Sequence, residues 1–557
     1  MDAHDPGRTL IAVGDGRARR MRRRSGIVVA VVLLVVIAAS APWASRWTPQ
    51  PPAISGPYAS LLAASSNLGP SQAADAQLTV TLSTPARPAT LIGWAQSHGL
   101  AVRWRDGQGW AVVTGPAQRL SDAFAVPIHD YRGQRGQVFY ASPQQPVLPS
   151  ALRGEADAAG RILSYLPHRM ARPVLPLDVP RPGLSPKNLL TAYNATPLVD
   201  AGYTGKGATV VFFAFDGFDQ RDLDMFADTS GLPRFAPVVV DGPLGPAHGE
   251  TVMDLEVAHA IAPDARLVVV NARPTLVGGG TFEKIGAMFD SAARQYPGSV
   301  WSLSIGWGCE ALVTAADLAP VRAALTNAHR RGIAVFDASG DAGGLECKGG
   351  QDWSAPPGPD DVGVDSVASL PEITSVGGTT LSTDLEGRWL EERAWVDVPM
   401  SQGTSGGVSQ LFARPAYQHE LSGERDAAHR LVPDVSAVAD PFTGVKLIYE
   451  QASRIGGGTS QAAPIWAGLT VLMNQYVMDR GGRPLGDINA LLYRVAEGSH
   501  LPGFRDITLG GNAVDTPGAG YDLVTGLGSP NVANLAPNLL DAQRARLIAG
   551  DYLPAGG

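Results

Sequence analysis

ATVVFFAF, residues 208–215, is an unbroken apolar run. Its β-branched and aromatic residues favour a strand, and the lack of polar alternation means that both faces are covered. RLVVVNA (266–272), SVWSLSIG (299–306) and GIAVFDASG (332–340) repeat the texture. Between them, TVMDLEVAHAIA (251–262) and LAPVRAALTNAHRRG (318–332) read as helices. Apolar strands alternating with helices predict an α/β domain over residues 187–540, a parallel sheet flanked by helices, with 541–557 as a C-terminal tail.

Upstream, residues 49–165 form a smaller unit. LTVTL (78–82), a helix over 88–99, LAVRWR (100–105), GWAVVTG (109–115), a helix over 116–126 and a short strand near Ile128 give the order β-α-β-β-α-β. That is the order of an α+β ferredoxin-like module. Residues 166–186 end in RPVLPLDVPRPGLSP, which reads as an exposed, cleavable linker holding a maturation site. Residues 1–48 are a basic tail, with Arg17, Arg19, Arg20, Arg22, Arg23 and Arg24, followed by GIVVAVVLLVVIAAS. Positive charge before an apolar run keeps the N-terminus in the cytoplasm and sends the rest across. The run suits a cleaved signal and a retained membrane anchor equally. Either places the bulk of the chain outside the cytoplasm, secreted or anchored.

The 557 residues are 45% hydrophobic, enough for more than one buried core. A net charge of −8 with no basic block beyond the N-terminus excludes nucleic-acid binding. Two cysteines, Cys309 and Cys347, in an exported chain suggest one disulfide.

Residues 456–468 read GGGTSQAAPIWAG. The glycines allow a tight backbone approach and set Ser460 at a helix start, where free N–H groups favour developing negative charge. The string G-T-S-x-A-A-P resembles the serine segment of the subtilisin superfamily, which contains subtilases and sedolisins. HGETVMD (248–254) then offers two chemistries. In a subtilase, Asp216, His248 and Ser460 would form the triad. Alternatively Glu250 and Asp254, four apart, share one face of a helix that is otherwise apolar. Two buried carboxyls there would share protons. The longer string HGETVMDLEVAHAIAP resembles the sedolisin (serine-carboxyl peptidase) family. That resemblance implies Glu250 as general base for Ser460, Asp254 as its orienting partner, and the module upstream as a pro-domain.

DASGDAG (337–343) discriminates independently. Where a subtilase places Asn, this chain has Asp341. An ionised Asp would repel an oxyanion; a protonated one donates to it, and such a donor is worth about 3 kcal/mol of barrier. The resemblance assigns Asp341 to the oxyanion hole. Acid also disables a histidine base by protonating it. SLSIGWG (302–308) resembles the family's substrate-lining strand, which implies Ser304, Gly306 and Trp307 as substrate-binding residues. Cys309 and Cys347 fit the family's cysteine positions, a disulfide bracing the oxyanion loop. GTSGGVSQLFARPAYQ (403–418) resembles another family landmark, with a structural role. DIT (506–508) and GAGYDLVTGLGSP (518–530) resemble the family's calcium site. One structural Ca2+ would take carboxylates from Asp506 and Asp522 and carbonyls from Ile507, Gly518 and Gly520.

The expectation is therefore a monomeric, acid-acting serine endopeptidase made as a proenzyme, acting on peptides or proteins and inhibited by its own pro-domain. The alternatives are the His248 subtilase and a non-catalytic binding protein on a protease scaffold.

Overall fold

The computed structural model describes residues 51–134, 136–165, 169–170, 183–276, 281–348, 357–419, 421, 428–499 and 501–548. They belong to one compact unit, Pro51–Gly557; Met1–Gln50 forms a separate unit that lies outside the described residues, and with it the basic tail and the apolar run. Most of the linker at 166–186 also lies outside them. Among the described residues no helix is long and apolar enough to cross a membrane.

The smaller domain contains β1 (Ala76–Leu82), α1 (Ala89–Ser97), β2 (Ala101–Arg103), β3 (Trp110–Gly115), α2 (Ala117–Phe124) and β4 (Ala156–Ala159). Its antiparallel sheet runs β2-β3-β1-β4, the ferredoxin-like order. The strand expected near Ile128 is not the fourth member. His129–Arg132 instead pairs with Ser66–Pro70 and Val138–Ala141 in a separate three-stranded sheet. Tyr131 and Phe139 of that sheet stack and join the core of the larger domain, which draws the strand away. The place beside β1 goes to Ala156–Ala159.

The larger domain is built on β5 (Thr209–Ala214), β6 (Val238–Val240), α3 (Glu250–Ile261), β7 (Arg266–Asn271), α4 (Thr281–Gln295), β8 (Val300–Leu303), α5 (Ala319–Arg330), β9 (Ala334–Ala338), β10 (Thr374–Thr383), β11 (Trp389–Ala394), β12 (Val435–Val438) and α6 (Thr459–Asp479). Its eight-stranded sheet has the order β6-β7-β5-β8-β9-β10-β11, with β12 also on β10. Every pairing is parallel except β10 with β11. The opening run explains itself here. Val210, Phe212 and Ala214 face a core shared with α3 and α6, while Val211, Phe213 and Phe215 face one shared with α4 and α5. Period-two alternation is present, but both faces are apolar.

The expected boundary at 540 falls inside a helix, Val532–Ile548. Leu539, Leu540 and Ala542 are buried, and Gln543 accepts from the Arg483 N–H at 2.8 Å. The helix runs on past Pro537 and its last turns still pack on the core, so the domain continues beyond the expected tail boundary.

The two domains are tied at named points. Arg103 grips Glu283 at the start of α4 with Nη2 at 2.6 Å. Arg161 donates its backbone N–H to Asp317 at 3.0 Å and its Nη1 to the Ala311 carbonyl at 2.5 Å.

Candidate active site

All twelve residues of α3 are buried, so its polar side chains must be accommodated inside the protein. Glu256 accepts the Ile448 N–H at 2.8 Å, and His259 stacks on Phe235 with centroids 3.8 Å apart. On another face, Glu250 and Asp254 are 4% and 3% exposed. Ser460, 4% exposed, stands in the first turn of α6, which packs along α3.

Neither oxygen of Glu250 has a regular hydrogen-bond partner among the described residues. Burial, then the charges of Asp254, Asp216 and Asp341, push its carboxyl well above the ordinary value; the Ser460 hydroxyl, close by, opposes the rise. Burial likewise raises Asp254, opposed by a hydrogen bond from Ser304 and reinforced by Asp216. A carboxyl beside a serine hydroxyl, kept dry and surrounded by other carboxyls, can exchange a proton with that hydroxyl and hold it.

Asp216 is buried and fully engaged with backbone and threonine. It accepts the His248 N–H at 2.9 Å and the Thr251 N–H at 3.2 Å, and the Thr251 hydroxyl also bonds to it. It therefore holds the chain entering α3, not the imidazole. The His248 ring is exposed. The arrangement that a histidine triad needs, an aspartate bonded to the ring, is not formed.

Asp341 meets the start of α6. Its Oδ1 accepts the Thr459 N–H and the Thr459 hydroxyl, both at 2.8 Å. With Oδ1 committed as an acceptor, a proton on this carboxyl belongs on Oδ2. The loop is braced from below. The Ala342 N–H reaches Glu346 Oε1 at 3.2 Å and Ser405 Oγ at 3.1 Å, and Ser405 Oγ donates to Glu346 at 2.6 Å. The Gly403 and Ser405 N–H groups bond the Asp341 and Gly340 carbonyls at 3.0 Å. Thus the 403–407 stretch holds the Asp341 loop. Gly340 has φ +115°, and a Cβ there would lie 2.2 Å from Glu346 Oε1, so only glycine fits. Cys309 and Cys347 form a disulfide between the end of the 302–308 strand and this loop. Glu346 and Ser405 went unnoticed in the sequence; the Cys347 neighbourhood was the available signal for Glu346.

The three residues expected to bind substrate separate. Gly306 lies in a short strand, Ile305–Gly306, that pairs antiparallel with Arg169–Met170 of the linker. Ser304 is 2% exposed and points its hydroxyl at Asp254 Oδ1, 2.6 Å away. Trp307 is a correction: it is 1% exposed and packs edge-to-face on Phe215, so its ring is core. A buried indole and a subsite indole have the same local pattern, which is why sequence did not separate them.

At the far end, Asp506 accepts the Gly520 N–H at 2.9 Å. Asp522 Oδ1 accepts the Val524 and Thr525 N–H groups at 2.8 Å, and desolvation pushes its carboxyl up to about 6. No cluster of three or more His, Cys, Asp or Glu side chains suited to a metal occurs among the described residues.

Comparison with known proteins decides the family. Residues 78–160 match the model of the pro-kumamolisin activation domain. The chain is 30% identical over 483 residues to kumamolisin of Bacillus sp. (strain MN-32), covering 80% of this chain and 82% of that one. The protein belongs to the sedolisin family of serine-carboxyl peptidases. Sedolisin of Pseudomonas sp. (strain 101) is 27% identical over 460 residues, 76% of this chain and 73% of its own. A solved structure of Pseudomonas sedolisin, a serine-carboxyl proteinase complexed with two molecules of pseudo-iodotyrostatin, aligns with a TM-score of 0.54 at 25% identity. It covers 65% of this chain and 98% of that one. This sedolisin-family chain is thus a serine peptidase with a subtilisin-like α/β fold, made with an activation domain and acting on peptides.

Proposed function

We propose that the chain is an exported, acid-acting endopeptidase in which Ser460 is the nucleophile, Glu250 the general base, Asp254 its partner and Asp341 the oxyanion donor. The observation that carries the reading is the contrast between Glu250 and His248. Glu250 is buried beside the Ser460 hydroxyl, whereas the His248 ring is exposed and only its backbone meets Asp216.

The mechanism is acyl transfer. Ser460 Oγ attacks the peptide carbonyl carbon while its proton passes to a Glu250 oxygen. The carbonyl electrons move onto the oxyanion, which Asp341 meets with its own proton. The N-terminus of α6 adds the positive end of a helix dipole. Collapse of the intermediate breaks the C–N bond, and Glu250 returns the proton to the leaving amine. Water then repeats the sequence on the acyl-enzyme, with Glu250 again as base. Asp254 holds a proton next to Glu250, so two negative charges are not stacked in a dry pocket. The whole set works only where Asp341 is protonated, hence the acid requirement.

The linker strand at Arg169–Met170 supports Gly306 as a backbone substrate contact. An extended peptide already lies antiparallel along that edge. We place the bulk of the chain outside the cytoplasm, as a monomer, led there by the basic and apolar stretch near its start. One structural Ca2+ would be held by Asp506, Asp522 and the carbonyls of Ile507, Gly518 and Gly520. What supports the reading is that Asp506 accepts the Gly520 N–H at 2.9 Å, which brings its carboxylate to the turn that carries Asp522, oxygen ligands of the kind a hard cation takes. When bound, the ion would supply charge balance to the buried Asp522. Chelation near neutral pH, where the chelator is deprotonated, is expected to lower the melting temperature. At a hundredfold excess of ligand over Kd the linkage is about 2.7 kcal/mol. An unchanged melting curve with no calcium released would remove the site.

Peptide hydrolysis against pH, in wild type, Ser460→Ala, Glu250→Gln and His248→Ala, tests the function. Activity confined to acid, absent in the first two variants and retained in His248→Ala, is expected. An optimum near neutrality, with loss in His248→Ala and survival of Glu250→Gln, overturns the proposal in favour of a histidine triad.

A further inference from the structure

Pro464 stands four residues after Ser460 inside α6. Proline has no N–H, so the Ser460 carbonyl cannot receive the hydrogen bond that residue i+4 gives in a helix. Another donor takes the place. Ser304, just beyond the end of β8, sets its Oγ 2.9 Å from the Ser460 carbonyl oxygen and 2.6 Å from Asp254 Oδ1. All three residues are buried. A serine hydroxyl has one proton to give, and a carbonyl oxygen can only accept. If Ser304 donates to Ser460, its contact with Asp254 requires the proton to come from Asp254. If Asp254 is ionised, it captures the Ser304 proton, and the Ser460 carbonyl loses this donor. The two arrangements exclude each other.

We propose that Ser304 is a positioning residue that transmits the protonation state of Asp254 to the backbone of Ser460. In one state the hydrogen bonds run from Asp254 through Ser304 to the Ser460 carbonyl and fix the first turn of α6. In the other, Ser304 turns to the Asp254 carboxylate and releases that turn. The proposal rests on the reading of Ser460 as nucleophile and Glu250 with Asp254 as its base pair.

The ionisable groups around the pair are Glu250 one turn earlier on α3, Asp216 beyond β5, and Asp341, whose charge acts on Glu250. All are acidic, so each added negative charge favours the protonated arrangement. Burial acts in the same direction, and the Ser304 hydrogen bond acts against it. Acid conditions thus coincide with a braced nucleophile.

Two substitutions separate the states with opposite sign. Ser304→Ala removes the donor that favours ionised Asp254. Pro464→Ala restores an N–H to the Ser460 carbonyl and frees Ser304 for the carboxylate. The Asp254 carboxyl is read by infrared difference titration of the full chain, its band assigned with Asp254→Asn, and kcat and KM are read against pH on the matured enzyme. In Ser304→Ala the titration is expected to move up by about one pH unit, with kcat down about tenfold and KM unchanged. Ser304→Thr keeps the hydroxyl and restores both. Pro464→Ala moves the titration down.

Shifts of the same sign in Ser304→Ala and Pro464→Ala, or no shift in either, overturn the proposal. So does a raised KM at constant kcat in Ser304→Ala, which makes Ser304 a substrate contact. If Ser304→Ala does not fold, Pro464→Ala decides alone, and the absence of a downward move overturns the relay. Opposite infrared shifts together with normal turnover in Glu250→Gln would keep the relay and remove the base assignment on which it rests.

Discussion

Two buried carboxyl sites in the same domain behave in opposite ways. Asp434 and Arg430 are both fully buried and joined as a fork, Oδ1 to Nη1 at 2.7 Å and Oδ2 to Nη2 at 2.5 Å. Asp434 also accepts the Ser375 N–H and the Tyr493 hydroxyl, each at 2.8 Å. Every oxygen is answered, and the pair pins the approach to β12 against β10. Glu250 lies almost as deep, and among the described residues it has no cation beside it and no regular hydrogen bond to either oxygen. Depth is therefore not what marks a working carboxyl. One paired with a cation holds structure together; one facing other acids holds a proton, and its retention calls for a functional reason.

The sharpest break between the sites comes from removing one charge from each. Glu250→Gln is expected to abolish peptide hydrolysis by at least about 10³-fold, with stability equal to wild type or higher. Asp434→Asn should do the reverse. It leaves the Arg430 charge buried and uncompensated, a loss of about 3–5 kcal/mol in denaturant unfolding. Residual activity would follow the folded fraction. If Glu250→Gln unfolds the protein while Asp434→Asn spares it, the distinction between the two sites collapses.

Asp341 lies between these extremes, because its Oδ1 is satisfied while its function needs a proton on the other oxygen. Asp341→Ala should lower kcat by about 100-fold, the worth of one oxyanion donor. Asp341→Asn keeps a donor at every pH, so more activity should survive and its basic limb should extend upward in a kcat/KM profile. Equal loss in both variants would mean that the side chain braces the loop only.

How much of this was legible follows the same division. The strands β5, β7, β8 and β9 announced themselves as apolar runs because both faces of the sheet are covered. The Glu250–Asp254 spacing was visible because carboxyls are out of place on an apolar helix. Satisfied polar groups left no such mark. Arg430 and Asp434 sit in HRLVPD (429–434), which carries no site signal of its own, and their partner Ser375 is far away in sequence. Ser304 sits between apolar neighbours just past the end of β8, where a small hydroxyl looks neutral. The fourth pro-domain strand, ADAA (156–159), carries neither bulk nor branching, and only its partner β1 defines it. Trp307 failed for the complementary reason, since an aromatic next to a substrate edge suits core and cleft alike.

The smallest expected effect tests whether burial without a cation leaves a thermodynamic trace away from the chemistry. Glu256 has one backbone donor, from Ile448, and desolvation pushes its carboxyl up from an ordinary 4.5 to about 9. Asp365, buried beneath the disulfide and close to Glu346, rises from 3.8 to about 7, again chiefly by desolvation. A carboxyl raised in the folded state binds more protons there than in the unfolded chain. Stability from it is complete below its unfolded pKa and is lost as pH climbs toward the folded one. For Asp365 that window opens near 3.8 and closes near 7; for Glu256 it runs from 4.5 to about 9. In the Ser460→Ala background, which prevents autolysis, the melting temperature should therefore fall across these windows, by about 1 °C for each kcal/mol lost in a folded unit of this size. Glu256→Gln keeps an acceptor for the Ile448 N–H but removes the titration. Its melting temperature should stay flatter between pH 5 and 8 than that of the parent. Parallel curves would mean that the burial of Glu256 leaves no such trace.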